Sequence, residues 1–291
     1  MLEATLMAGS SAKLRRLGAE LRRLREAAER TQSELAEVLG RSHVSIVNWE
    51  HGKTRIGKSD LHVLLKELGA SDDVREELEK LRLAGRSKGW WSVYKLPDWL
   101  RPLVSFESDA SQITAFEPIL IPGLLQTEDY SRAIHLAGPY TTPREVLEKR
   151  LELRKGRQRR LVGEHPLELH VVIAESALRL EVGGPAIMAD QLWHLVRLAS
   201  APNIRIQVLP YRVGAHPAVC GNFAVLHFSD PKLDPPLGYA DDAVGGHVID
   251  DPSEVEVLLN MFADVRALAL TEPESVDFIA TVMDEYRARK T

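Results

Sequence analysis

The chain has one cysteine, Cys220, among its 291 residues. An internal disulfide framework and a cysteine-ligated zinc site are therefore excluded, and a reducing compartment is expected. No apolar run nears the roughly 20 residues that a membrane-spanning helix needs. The N-terminus shows no apolar stretch behind basic residues, so no secretory signal is read there. A cytoplasmic protein without a membrane partner is the expectation. Glycine-rich phosphate loops, a G-x-S-x-G elbow and H-E-x-x-H spacing are missing as well. Aromatic residues make up only 6%, and the net charge is −5, a sign that argues against a chain basic throughout. What remains is ordinary for a globular protein: 44% apolar and 27% charged residues, with length enough for two domains.

The acidic total conceals a local excess of positive charge. Residues 12 to 58 carry eleven Lys/Arg against six Asp/Glu, whereas the rest of the chain carries 26 against 36. Within that basic stretch, Thr31 to Lys53 (TQSELAEVLGRSHVSIVNWEHGK) predicts a helix, a tight turn and a second helix. Thr31 and Glu34 have the spacing of a capping box. Leu35, Val38 and Leu39 form an apolar stripe, and Gly40 stands where the chain must leave the helix with positive φ. Ser42 caps the second helix, whose inward anchors are Ile46 and Trp49. Two short amphipathic helices joined by a glycine turn are the physical content of a DNA-reading helix-turn-helix.

The residues Thr31-Gln32, Leu35-Ala36, Gly40-Arg41-Ser42, Ile46, Trp49-Glu50 and Gly52-Lys53 closely resemble the helix-turn-helix of the phage-repressor and xenobiotic-response-element regulators. With Ile46 and Trp49 inward, His43, Val44, Val47 and Asn48 lie on or near the outward face. Ser42 and His43 stand at the end that this motif aims at base edges. Asn48 suits the adenine N6/N7 edge, and Val44 or Val47 suits a thymine methyl. Ser42, His43, Ser45 and Asn48 are also phosphate-bonding types. The resemblance implies that Gln32 is a phosphate-contacting glutamine and that Lys53 and Arg55 are backbone-contacting cations. No arginine follows Arg41 on this face, which leans the expected half-site toward A·T pairs. For each residue the plain alternative is a solvated surface side chain, most readily for Ser45 and His43.

Around the motif the sequence predicts a compact domain of five helices over residues 1–85, after a loose leader, Met1 to Ser11. The first helix, Ala12 to Arg30, sets Leu14, Leu17, Leu21 and Leu24 opposite a run of arginines read as a solvated face. Helices from Lys58 to Leu68 and from Ser71 to Leu83 complete it, and Ala84 to Gly89 reads as a linker. Trp90, Trp91, Tyr94 and Trp99 then lie within ten residues, a density expected of core. Pro97 and Pro102 interrupt the helical pattern.

Residues 86–291 read as an α+β domain with a mixed sheet flanked by helices. Strands are expected over Gln112 to Ile121, Leu167 to Ala174, Ile204 to Pro210, Asn222 to Phe228 and Gly238 to Ile249. A basic helix capped by Thr142 runs from Pro143 to about Val162, and another from Pro185 to Ala199. Helices Pro252 to Leu270 and Pro273 to Arg289 close the chain. The segments FEPILIPGLLQTEDYSRAI, VVIAESALR, GGPAIMADQLWHLVRLASAPNIRIQVLP, GNFAVLHF and LALTEPESVDFI resemble the large C-terminal domain of a group of actinobacterial helix-turn-helix regulators. That group is antitoxin-like and often encoded beside a small partner protein. Its usual Tyr-x-Glu is Tyr239-Ala240-Asp241 here.

The expected function is a sequence-specific DNA-binding transcriptional regulator that binds double-stranded DNA as a homodimer. Its C-terminal domain would dimerise and receive a small cognate protein or a small-molecule effector, with no catalysis, cofactor or metal. The alternative is an enzyme or metal-binding sensor domain fused to the helix-turn-helix. His216, Cys220, His227, Asp241, Asp242, His247, Asp250 and Asp251 are the residues that would have to carry it, and Glu175 would either sit charged in a pocket or pair with Arg179. Their spacing follows no helical or strand rule for a ligand set.

Overall fold

Thr31 and Glu34 cap one another, as their spacing requires. In the computed structural model the Thr31 backbone N–H donates to Glu34 at 2.7 Å, and the Glu34 N–H donates to Thr31 Oγ1 at 3.2 Å. The model describes residues 12–84, 90–94, 96–138, 143–231, 234–242 and 244–289. The expected leader, residues 85–89 of the expected linker and the expected cap Thr142 lie outside them. The chain divides into two compact units, Met1–Asp109 with Phe228–Pro235, and Ala110–His227 with Pro236–Thr291.

The first unit is helical: α1 (Ala12–Ala27), α2 (Gln32–Leu39), α3 (His43–Glu50), α4 (Lys58–Glu67) and α5 (Asp72–Ala84). Leu17, Leu21, Leu35, Ile46, Trp49, Leu61, Leu65 and Leu78 meet in its core. Gly40 leaves α2 with φ 58° in the left-handed region, where a Cβ would be strained. Two glycines let α1 approach α3. A Cβ on Gly18 would collide with the carbonyl groups of Trp49 and Glu50, and one on Gly52 (φ 63°) would lie 2.7 Å from Arg15 Cα. A short 3-10 turn (Trp90–Val93) and α6 (Leu100–Asp109) follow.

The tryptophan cluster departs from expectation. Trp90 and Trp99 are 39% and 40% exposed, and none of Trp90–Val93 is buried. The Trp90 ring meets Trp91 and Tyr94 edge-on at 6.1 Å, and its Nε1 donates to Ser108 Oγ at 3.3 Å. Pro102 does not break a helix either. It occupies the first turn of α6, where a missing N–H forfeits no hydrogen bond.

The second unit is built on a six-stranded mixed sheet of order β3-β2-β1-β4-β5-β6. The strands are β1 (Gln112–Glu117), β2 (Glu168–Ala174), β3 (Ile204–Leu209), β4 (Phe223–His227), β5 (Leu237–Asp241) and β6 (Gly246–Ile249). β1, β2 and β3 are parallel, and β4, β5 and β6 join antiparallel. The parallel strands are buried nearly end to end, as helices on both faces of a sheet require.

The helices are α7 (Glu128–Ala137), α8 (Arg144–Gln158), α9 (Glu175–Arg179), α10 (Pro185–Leu198), α11 (Pro252–Leu268) and α12 (Glu272–Ala288). α11 packs on β1, β3, β4 and β5, and α10 packs on α12. Phe116, Val172, Phe223, Val225, Phe262 and Val265 fill one core layer.

Two strand boundaries differ from the sequence reading. β1 stops at Glu117 because Pro118 has no N–H for the ladder, and its carbonyl accepts from Ser176 Oγ. The single strand expected over Gly238 to Ile249 is a hairpin of β5 and β6. Asp242 turns it, its Oδ1 accepting from the N–H of Val244 at 2.8 Å and of Gly245 at 3.0 Å, an Asx-type turn. None of the described helices is long and apolar enough to cross a membrane.

Candidate nucleic-acid interface

The interface is built around α3. Ser42 stands before it in extended conformation, and its Oγ accepts from the Ser45 N–H at 3.2 Å. Ile46 and Trp49 are buried, as the pattern required. That orientation leaves His43 and Val44 exposed and Val47 and Asn48 half-buried on the other side. Val44, 63% exposed, is an isolated apolar side chain at the N-terminal end of the helix. The Asn48 side-chain amide makes no hydrogen bond with another described residue, so both its donor and acceptor face outward chemistry. Lys53 and Arg55 follow within one turn of the helix end, half-buried and exposed. The N–H of Lys53 is fixed by Asn48 O at 2.8 Å.

The structure separates residues that the sequence placed together. Ser42 and Ser45 bond each other through their hydroxyls at 2.9 Å, so their first task is the helix cap. Arg41 stands in the turn and forms an ion pair with Asp60 at 3.2 Å. Gln32 is half-buried at the start of α2, and its Nε2 donates to Glu50 Oε2 at 2.8 Å. An amide nitrogen has two hydrogens, so one remains for an acceptor outside the protein.

Glu50 and Arg25 were not recognised as part of this arrangement. Arg25 donates from Nε to Glu50 Oε1 at 2.6 Å and from Nη2 to Oε2 at 3.0 Å, while its Nη1 holds Arg30 O. The Glu50 carboxylate is 3% exposed. Hydrogen bonding to Glu50 raises the Arg25 pKa further, so the guanidinium stays charged at neutral pH. The available signal was Glu50 beside the buried Trp49, since a carboxylate one residue from an inward anchor needs a cation.

The candidates in the second unit hold separate posts. Asp251 caps α11, accepting from the N–H of Ser253 and Glu254 at 2.9 and 3.2 Å. His247 pairs with the turn residue Asp242 at 3.3 Å, and His227 meets Thr114 Oγ1 at 3.3 Å. Glu175 holds Arg179 at 2.6 Å and the N–H of Tyr211 at 2.9 Å. Cys220 is exposed. At the C-terminal end of β1, burial, reinforced by the charge of Asp241 and opposed by Arg157, pushes the Glu117 carboxyl up to about 8. Among the described residues no three His, Cys, Asp or Glu side chains converge as a metal site would need.

A capped helix, a left-handed glycine turn and a second helix with an outward polar face form a helix-turn-helix, the domain class with which regulators bind DNA. The comparison with family models agrees, matching residues 16–78 to the model described as a helix-turn-helix domain. Residues 100–281, more than half of the chain, match the model described as a domain of unknown function (DUF5753), and the chain belongs to that family. No curated protein and no solved structure matches the chain.

Proposed function

We propose that the protein is a sequence-specific transcriptional regulator of the xenobiotic-response-element type, reading duplex DNA through α3 in the cytoplasm. The observation that carries this reading is the outward face of α3. His43, Val44 and Asn48 are presented between the Ser42 cap and the Lys53–Arg55 cations, with Gln32 fixed beside them by Glu50. Asn48 and Val44 are the base-reading residues, suited to adenine and to a thymine methyl. Gln32, Lys53 and Arg55 hold phosphates, with the free hydroxyl capacity of Ser42 and Ser45 next to them. His43 and Val47 flank the read bases.

One such helix touches about four or five base pairs, too few for useful selection in a genome. A homodimer on half-sites about 34 Å apart resolves this. The DUF5753 domain supplies the dimer contact and receives a small cognate protein or a small-molecule effector, without catalysis.

Selection of bound fragments from genomic DNA with the purified full chain tests the reading. The expected product is a two-fold-related pair of A·T-leaning half-sites about one helical turn apart. Absence of any enriched sequence at moderate salt would sink it. Sedimentation of the full chain at micromolar concentration tests the dimer, which a monomer would refute.

A further inference from the structure

The helix-turn-helix unit contains two segments that the helix-turn-helix match does not reach. α6 and Phe228–Pro235 both fall within the DUF5753 match, yet both are part of the first compact unit. They meet at one residue of α1. The Arg15 guanidinium lies 5.8 Å from the centre of the Phe106 ring and 5.7 Å from that of Phe228. The two rings contact each other edge-on at 6.4 Å. Arg15 Nη1 pairs with Asp234 Oδ1 at 3.2 Å, and Nη2 donates to Pro235 O at 2.9 Å. Both charged side chains are about nine-tenths buried, at 10% and 8% exposure. A planar cation beside two aromatic rings, with a carboxylate and a carbonyl at its edge, combines cation–π contact with polar recognition of one guanidinium.

The other end of Arg15 touches the DNA-reading element. Gly52, the residue before Lys53, is buried with its α-carbon against the Leu14 and Arg15 backbone, and no side chain fits between them. One residue thus joins the segment between β4 and β5 to the end of the recognition helix. We propose that Arg15 is a positioning residue for DNA recognition. Phe106, Phe228 and Asp234 grip its side chain, and its backbone fixes Gly52 and so the pose of α3 and Lys53. Phe228 directly follows the last residue of β4, and Pro235 stands two residues before the first residue of β5. The segment is therefore continuous in the chain with two strands of the sheet, and duplex affinity depends on its conformation.

This inference rests on the DNA-binding reading for its affinity readout but not for its structural one. The experiment uses the full chain with Arg15→Met, Asp234→Asn, their double variant and Phe228→Leu. Phe228→Leu keeps apolar volume while removing the π face, so it serves if a charge variant does not fold. Two quantities are measured: the Kd for a duplex selected with the wild type, and amide exchange across Trp49–Arg55. Each single variant is expected to weaken specific binding about tenfold, a typical coupling, and to speed exchange at Gly52 and Lys53 beyond the change in the α4 and α5 amides. The double variant is expected to be no weaker than the worse single, because both remove one interaction. Folded variants with wild-type Kd and wild-type exchange at Gly52–Lys53 would overturn the proposal. So would an exchange increase spread evenly over the unit, which marks a structural contact only. A wild type that binds no duplex counts against the DNA-binding reading alone, and the exchange measurement still decides the clamp.

Discussion

Gln32 Nε2 donates to Glu50 Oε2 at 2.8 Å, and the same carboxylate takes two hydrogen bonds from Arg25. A glutamine expected at a phosphate is thus held in place by a buried ion pair. The orientation of the contact and the stability of the domain share one group.

Removing the shared group and removing the glutamine should have different consequences. Glu50→Ala leaves the largely enclosed Arg25 charge with only the exposed Glu26 at 3.5 Å as a partner, and about 3 kcal/mol of stability should be lost. Gln32→Ala deletes a half-buried amide and should cost less than about 1 kcal/mol, while weakening duplex binding on every sequence. Denaturant unfolding and duplex titration of the two variants check the contrast. Equal stability losses would show that Gln32 is itself a core residue.

Among the described residues the Asn48 side chain has no hydrogen-bond partner to lose. Asn48→Ala should therefore leave stability within about 0.5 kcal/mol and remove about 1–3 kcal/mol of discrimination at one base pair. Binding to random duplex should be nearly unchanged. An equal loss on selected and random DNA would assign Asn48 to the phosphate backbone.

Lys53→Ala should act without regard to sequence. Loss of one phosphate contact lowers the slope of log K against log salt by about one unit. Titrations of selected and random duplex at several salt concentrations measure this. A slope identical to that of the wild type would take Lys53 out of the interface.

Asp234 predicts a pH dependence of unusual sign. Burial, reinforced by Asp109 and opposed by Arg15 and Arg16, pushes its carboxyl up to about 7. In the unfolded chain an aspartate releases its proton near 4. Between about 4 and 7 the folded state therefore holds the extra proton, and this group makes stability fall as pH rises through that window, with no further change above it. Asp234→Asn should cancel that component. The difference in unfolding free energy between wild type and variant, followed from pH 5 to 8, is the measurement. A difference that does not change over that range would mean that Asp234 titrates normally.

The local features of the first unit were legible because each depends on residues within one or two helical turns. The Thr31–Glu34 box, the left-handed Gly40, the Ser42 cap and the inward turn of Ile46 and Trp49 all follow from hydrogen-bond geometry at fixed short spacing. The two terminal helices and the three parallel strands were readable for the same reason, from apolar periodicity and flanking breakers. The end of β1 at Pro118 and the split of the last strand at Asp242 are also local, set by a missing N–H and by an Asx turn.

What the sequence by itself determined is the long helices, the parallel strands and the exposed face of α3, since residue type and period set which side of an element is apolar. Only the tertiary structure decided the partners of the buried charges. Arg25 and Glu50 are 25 positions apart, and Arg15 and Pro235 are 220 apart. Arginines that periodicity assigns to a solvated face become buried when a distant carboxylate and distant rings cover them. The tryptophans at Trp90 and Trp99 show the reverse, since an aromatic side chain is core only where other elements close over it. Periodicity states which side chains seek cover, whereas the cover comes from segments remote in sequence, brought near by the closing of the fold.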